Sequence, residues 1–244
     1  ISADQRQGIR ATMQRLIGAE ILQETAEFTL IHILRDPQVL SVEQLLDYIG
    51  DNVRGMLRDA PESLLDPNRE RAVGVIQRDE RVDRFFLLLS RRLYSALRNP
   101  LAEVEHQISR VDFFNTHNVA RQLERVADHA VKIAHAAQAL IDEKLSPPKP
   151  VEAALGRAAE GAQGFLTQVL AAFSNVDDEA AHRALGGKPG LEAQITALDK
   201  QLLALENPHL AYHLGTVADS IGRVKDYAAN IAEVALNAVA LRQK

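Results

Sequence analysis

Arg121-Gln122-Leu123-Glu124-Arg125-Val126-Ala127-Asp128-His129-Ala130 is the stretch on which the reading of this chain turns. It lies inside a longer apolar pattern, Val119, Leu123, Val126, Ala130, Ile133, Ala137 and Leu140, that steps by four and three. That spacing keeps one seam of a helix facing a packed partner. The pattern recurs as Val217, Ile221, Val224, Ala228, Ile231, Ala235 and Ala238, each 98 residues on (221 − 123 = 98; 231 − 133 = 98). Agreement in register at every seam position predicts a tandem repeat.

Positions off the seam agree too. Arg125 matches Arg223, Asp128 matches Asp226, and Ala134 matches Ala232 at the same offset. A shared need for core packing would not repeat an Arg and an Asp outside the core, so more than packing was duplicated.

Residues 123–134, Leu-Glu-Arg-Val-Ala-Asp-His-Ala-Val-Lys-Ile-Ala, resemble the Leu-Glu-Arg-Ile-Gly-Asp-His-Ala-x-Asn-Ile-Ala signature of the phosphate-uptake regulator (PhoU) family. Residues 221–232, Ile-Gly-Arg-Val-Lys-Asp-Tyr-Ala-Ala-Asn-Ile-Ala, are similar to the same signature, with Gly222 in place of its Glu. The resemblance runs from about Ser41 onward and rests on signature, tandem arrangement and repeat length together.

Composition sets outer bounds. A chain of 244 residues with 46% hydrophobic and 25% charged residues has enough apolar material for one or two ordinary cores. The absence of cysteine excludes disulfides, thiolate chemistry and cysteine-bound zinc. Apolar runs such as residues 85–89 are far too short to span a bilayer, and the start carries no basic-then-apolar signal pattern. The expected location is therefore cytoplasmic. A net charge of −5 gives no general attraction to phosphate backbones, so this chain is not expected to bind nucleic acid directly. A chain that starts at Ile1 is expected to have lost an N-terminal portion.

The fold expected is mainly α: two tandem three-helix bundles, residues 39–145 and 151–244, preceded by a helix and a β-hairpin in residues 1–38. In the N-terminal part, Ser2 and Asp4 suit a helix start, Ile9, Met13, Leu16 and Ile17 give its face, and Gly18 its end. Ile21, Thr25, Phe28, Thr29, Ile31 and Ile33 then alternate with polar residues, predicting two strands that turn near Ala26 and Glu27. The alternative is one continuous amphipathic helix over 3–34. The helix-plus-hairpin resembles the segment that joins an AbrB-like DNA-binding domain to the helical part in archaeal family members.

From Ser41 the pattern is helical: 41–65, a break at Asp66-Pro67-Asn68, 69–97, a break at Asn99-Pro100, then about 104–145 with the signature. Ser146-Pro147-Pro148-Lys149-Pro150 reads as a stiff linker between repeats. The second unit reads as 151–173, 177–185, a break at Gly186-Gly187-Lys188-Pro189-Gly190, 191–205 and 209–241. That glycine-rich run lacks the Ser or Thr and the strand of a phosphate-binding loop, and reads as a plain helix break.

The candidate chemistry is acidic. Asp79 and Asp83 are four apart, as are Glu124 and Asp128, so each pair lies one turn apart on one helix face, within reach of a shared cation. Asp79 also sits on the seam Val75, Asp79, Val82, Phe86, Leu89, Leu93, Ala96, where an unpartnered carboxylate is costly. The family resemblance implies that such Glu/Asp-x-x-x-Asp motifs on adjacent helices bind carboxylate-held iron or zinc clusters, which assigns Asp79, Asp83, Glu124 and Asp128 as ligands. In the second repeat Asp199 and Asp226 remain, but Ile195 and Gly222 replace the other two acids, and Glu192 and Asp219 are the residues available to compensate. The bland alternative is a solvated acidic face neutralised by Arg78, Arg81, Arg84, Arg121, Arg125 and Lys132. His117, His129 and His135 lie on or near the signature helix, and His209 and His213 are four apart without a visible third ligand.

No nucleophile, base and acid set is visible, so no enzyme is expected. The resemblance implies a regulator of phosphate homeostasis that acts by protein contacts with the phosphate ABC transporter and phosphate-signalling proteins, as a homodimer. Two other readings stay open: the sensor and oligomerisation part of a transcription regulator whose DNA-binding domain is missing, and, last, a carboxylate-bridged di-metal oxidase, which requires Glu-x-x-His motifs on facing helices.

Overall fold

The computed structural model describes residues 40–99 and 108–242, the backbone of two strands, and residues 5, 8, 9, 12 and 103. Strand β1, Ala19–Glu24, pairs antiparallel with β2, Thr29–Ile33, with Ala19 opposite Ile33, Glu24 opposite Thr29, and an irregularity between Ile21 and Gln23. Of the helix expected over 2–17, Gln5, Gly8, Ile9 and Thr12 are helical, and the rest lies outside the described residues.

The described part is otherwise helical, with six long helices: α1 Val42–Leu65, α2 Arg69–Arg98, α3 Arg110–Asp142, α4 Lys149–Asn175, α5 Asp178–Leu202 and α6 Pro208–Arg242. Their starts are set by side chains that satisfy orphan backbone donors. Ser41 and Gln44 form a reciprocal capping box, Asn68 accepts from the Arg71 amide at 3.0 Å, and Asp177 accepts from the Ala180 amide at 2.8 Å. At the end of α4, Val176 takes the left-handed conformation (φ 53°), closing the helix with a bond from the Asp177 amide to the Ala172 carbonyl.

Two expectations are corrected here. The signature helix α3 begins at Arg110 rather than near 104, because Ser109 caps it by accepting from the Asp112 amide at 3.0 Å. The break expected at 186–190 is absent: α5 runs through Pro189 as one helix. Ala181, Ala184, Leu191, Ile195, Leu198 and Leu202 are all buried, and they stay in helical phase across the glycine-proline run. Burying that seam against α4 and α6 outweighs the poor local propensity.

α1, α2 and α3 pack on one another, as do α4, α5 and α6; the two sets meet where α3 packs on α6 and α1 on α4. Cross-contacts give the directions. Arg69 pairs with Asp142 while the Ser90 hydroxyl meets His117, so α2 runs antiparallel to α3. Asn230 donates to Gln122, and His209 and His213 meet Glu143, so α6 runs antiparallel to α3. His129 and Tyr227, equivalent positions of the repeats (227 − 129 = 98), face each other with ring centroids 5.8 Å apart. A pseudo-two-fold axis therefore passes between α3 and α6. Every seam residue of both copies is buried, and all but Ala235 and Ala238, at the far end of α6, join one continuous core that draws on all six helices.

Candidate functional site

α2 and α3 lie side by side, and each presents one acidic pair toward the other. Asp79 and Glu124 are half-buried, while Asp83 and Asp128 are exposed. Their fields overlap across the helix pair. Burial raises the Asp79 carboxyl, and Asp83, Asp128, Glu124 and Glu80 raise it further, to about 6. Asp83 is raised by burial and then by Asp128 and Glu80. Glu124 is raised by burial, Asp128 and Asp83, with Arg125 and Arg121 offsetting part of the effect. The residues brought together are thus Asp79, Asp83, Glu124 and Asp128, and they repel one another as they stand.

Of the basic residues nearest in sequence, Arg121 and Arg125 offset only part of the repulsion at Glu124, and two others face elsewhere. Arg78 is turned to Asp59 on α1 and the Gly74 carbonyl, and Arg84 donates to the Glu80 carbonyl. Among the described residues none of the four acids forms an ion pair, and the buried Oδ1 of Asp79 has no hydrogen-bond partner. The donor set fits a hard cation: carboxylate oxygens, excess negative charge and one orphaned buried oxygen. The side chains are not closed into a ligand sphere, and among the described residues no three His, Asp or Glu side chains form a ready-made metal position.

The second repeat differs. Asp199 is exposed, Asp226 is half-buried, and Ile195 and Gly222 stand where Asp79 and Glu124 do. The groove here, about 330 Å³, also holds Glu192, Asp219 and Lys225. Lys225 is only 6% exposed; its Nζ donates to Glu192 and lies 3.4 Å from Asp226 Oδ1. Sequence reading passed over this lysine, although Ala127 at the equivalent position marks the change (225 − 127 = 98).

The histidines scatter. His117 stacks on Phe86, with centroids 5.4 Å apart, and meets the Ser90 hydroxyl at 3.0 Å; His129 is buried against Tyr227; His135 is exposed. His209 and His213 do gain a third group: Glu143, at the end of α3, lies 3.1 Å from His209 Nδ1 and 3.5 Å from His213 Nε2. This fastens the start of α6 to the end of α3. Glu179 and His182 on α5 have the Glu-x-x-His spacing of a di-metal bundle, but both are exposed.

With the geometry established, the comparisons bear on identity. The PhoU domain family model matches residues 46–137, within the first repeat. No curated protein matches the chain. Among solved structures, PhoU from Pseudomonas aeruginosa is similar with a TM-score of 0.72 and 22% identity, over 83% of this chain and 96% of that one. The phosphate transport system regulatory protein PhoU from Streptococcus pneumoniae gives 0.67 and 21%, over 80% and 91%. A PhoU-like phosphate regulatory protein from Shewanella oneidensis gives 0.54 and 17%, over 84% and 100%. At these identities the structures speak to the helical fold, and they lend no weight to the N-terminal hairpin. Among the described residues no helix is long and apolar enough to cross a membrane.

Proposed function

This chain carries a PhoU domain in its first repeat and the PhoU fold across its helical part, and from that premise we propose that it regulates phosphate transport and phosphate-starvation signalling through protein contacts, without catalysing a reaction. The observation that carries the proposal is the shared two-repeat fold, which spans nearly the whole of a PhoU protein. The partners proposed are the phosphate ABC transporter and its signalling proteins, met in the cytoplasm by a homodimer. Tyr94, Leu97, Val111 and Phe114, large and exposed near the α2–α3 junction, offer surface for such contacts.

Asp79, Asp83, Glu124 and Asp128 are proposed to hold iron or zinc. A bound cation would neutralise their mutual repulsion and cross-link α2 to α3, making the rigidity of the first repeat depend on metal supply. Asp199 and Asp226 form a weaker counterpart, since two of the four acids are missing there.

Two measurements test the reading. Deleting the gene in its own organism should leave phosphate import and a starvation reporter active in phosphate-replete medium; an unchanged phosphate response overturns the regulatory role. Elemental analysis of the purified protein beside Asp79→Ala/Glu124→Ala should show stoichiometric iron or zinc that the variant lacks. Equal content in both, at equal helicity, removes the metal from the proposal. A second reading, the sensor part of a transcription regulator, is favoured by the antiparallel hairpin ahead of α1. An upstream DNA-binding domain in the full-length gene would support it, and its absence there would sink it.

A further inference from the structure

The groove between α5 and α6 gathers four carboxylates, Glu192, Asp199, Asp219 and Asp226. Such a concentration of negative charge draws a cation, and here the chain supplies one. Lys225 reaches in from α6, 94% buried by its 6% exposure, and its ammonium joins Glu192 of α5 to Asp226 of α6. Arg223 stands 4.0 Å from Asp219, leaving Asp199 as the lining acid without an ion pair among the described residues.

The duplication shows what changed. At the offset of 98, Lys225 stands at Ala127 and Gly222 at Glu124, so within one helical turn this repeat lost a carboxylate and gained an ammonium. Glycine leaves the space beside that turn open: a Cβ built at Gly222 meets nothing within 4 Å. The first repeat made neither change, and among the described residues its four acids form no ion pair. We infer that Lys225 is the resident cation of the second repeat, standing where a divalent metal would and excluding it, so that the α5–α6 cross-link is permanent while the α2–α3 cross-link depends on supply. An ammonium held between two carboxylates supplies the charge and the donors without any requirement for a ligand sphere. A metal entering the groove would have to displace it and leave a buried, unpaired ammonium behind.

The inference uses the metal reading of the first repeat for its contrast, and the test separates the two. In an Asp79→Asn/Glu124→Gln background, which removes the first-repeat site, Mn2+ is titrated calorimetrically into the protein with and without Lys225→Met. Methionine keeps the apolar stem and removes the charge. The background protein should take up no Mn2+, and the Lys225→Met protein should take up about one equivalent, with a melting temperature that falls without metal and recovers with it. Lys225→Gln, which keeps hydrogen-bond donors, gives the same readout should methionine fail to fold. Mn2+ uptake by the background protein itself, or no gain on removing the lysine, overturns the inference. Failure of the first-repeat reading would instead appear as no Mn2+ uptake by the wild type, and it leaves the Lys225 result standing.

Discussion

Asp79 occupies a position where its helix calls for an apolar side chain, and among the described residues it forms no ion pair and its Oδ1 has no hydrogen-bond partner. Its carboxyl is displaced from 3.8 to about 6 by burial and by three acids of the same cluster together with Glu80. Because the folded-state value lies above the unfolded one, the folded chain binds the proton more tightly. The contribution of Asp79 to stability is therefore best below the ordinary carboxylate value, falls as pH rises through the interval up to about 6, and stays low above it. In metal-free protein, Asp79→Asn should raise stability at pH 7.5 by roughly 1–2 kcal/mol, after discounting for solvent screening, and flatten the melting temperature between pH 5 and 7.5. Denaturant titrations at the two pH values check this; equal destabilisation at both would mean that a hydrogen bond of Asp79, rather than its charge, matters to the fold. The sequence revealed the acids because helical spacing shows which residues share a face. It did not reveal Lys225 with Glu192, or Glu143 with His209, because these contacts join residues 33 and 66 apart on different helices, and a period says nothing about which neighbour a face meets.

At the scale of the helix, local signals were legible where a polar side chain caps an end and misleading where only propensity spoke. Ser41 and the break around Asn68 mark true boundaries. The Ser109 cap was overlooked within a polar run that resembles a helix, which set the start of α3 too early. In α5 the opposite happened: three glycines and a proline read as a break, yet the buried positions before and after them lie on one stripe. Pro189 is exposed and lacks the amide that would bond to the Leu185 carbonyl. Pro189→Ala should therefore stabilise the protein by about 1–3 kcal/mol without altering its contacts, as read from the denaturation midpoint at unchanged slope. A loss of stability would show that α5 depends on a bend at this point to keep its seam on α4 and α6.

Duplication is the feature of the whole molecule that the sequence showed most fully, because a repeated seam leaves its period in the chain. What it could not show is how the copies meet. The two repeats could have been beads on the proline linker, each with its own core. Instead α3 and α6, the two signature helices, pack on each other around the His129–Tyr227 contact, and buried residues from both repeats join one cluster. A shared core couples the repeats thermodynamically, since neither can unfold without exposing the face that covers the other. Leu123 and Ile221, equivalent across the repeats and 0% and 2% exposed, test the coupling as a matched pair. Leu123→Ala and Ile221→Ala should each cost about 2–5 kcal/mol, and each should shift one common unfolding transition to lower temperature. Calorimetry showing two transitions, with Leu123→Ala moving only one and Ile221→Ala only the other, would mean independent repeats. Under a single transition, any cation that tightened α2 against α3 would stabilise α5 and α6 as well, so the proposed first-repeat site would act on the stability of the whole shared core.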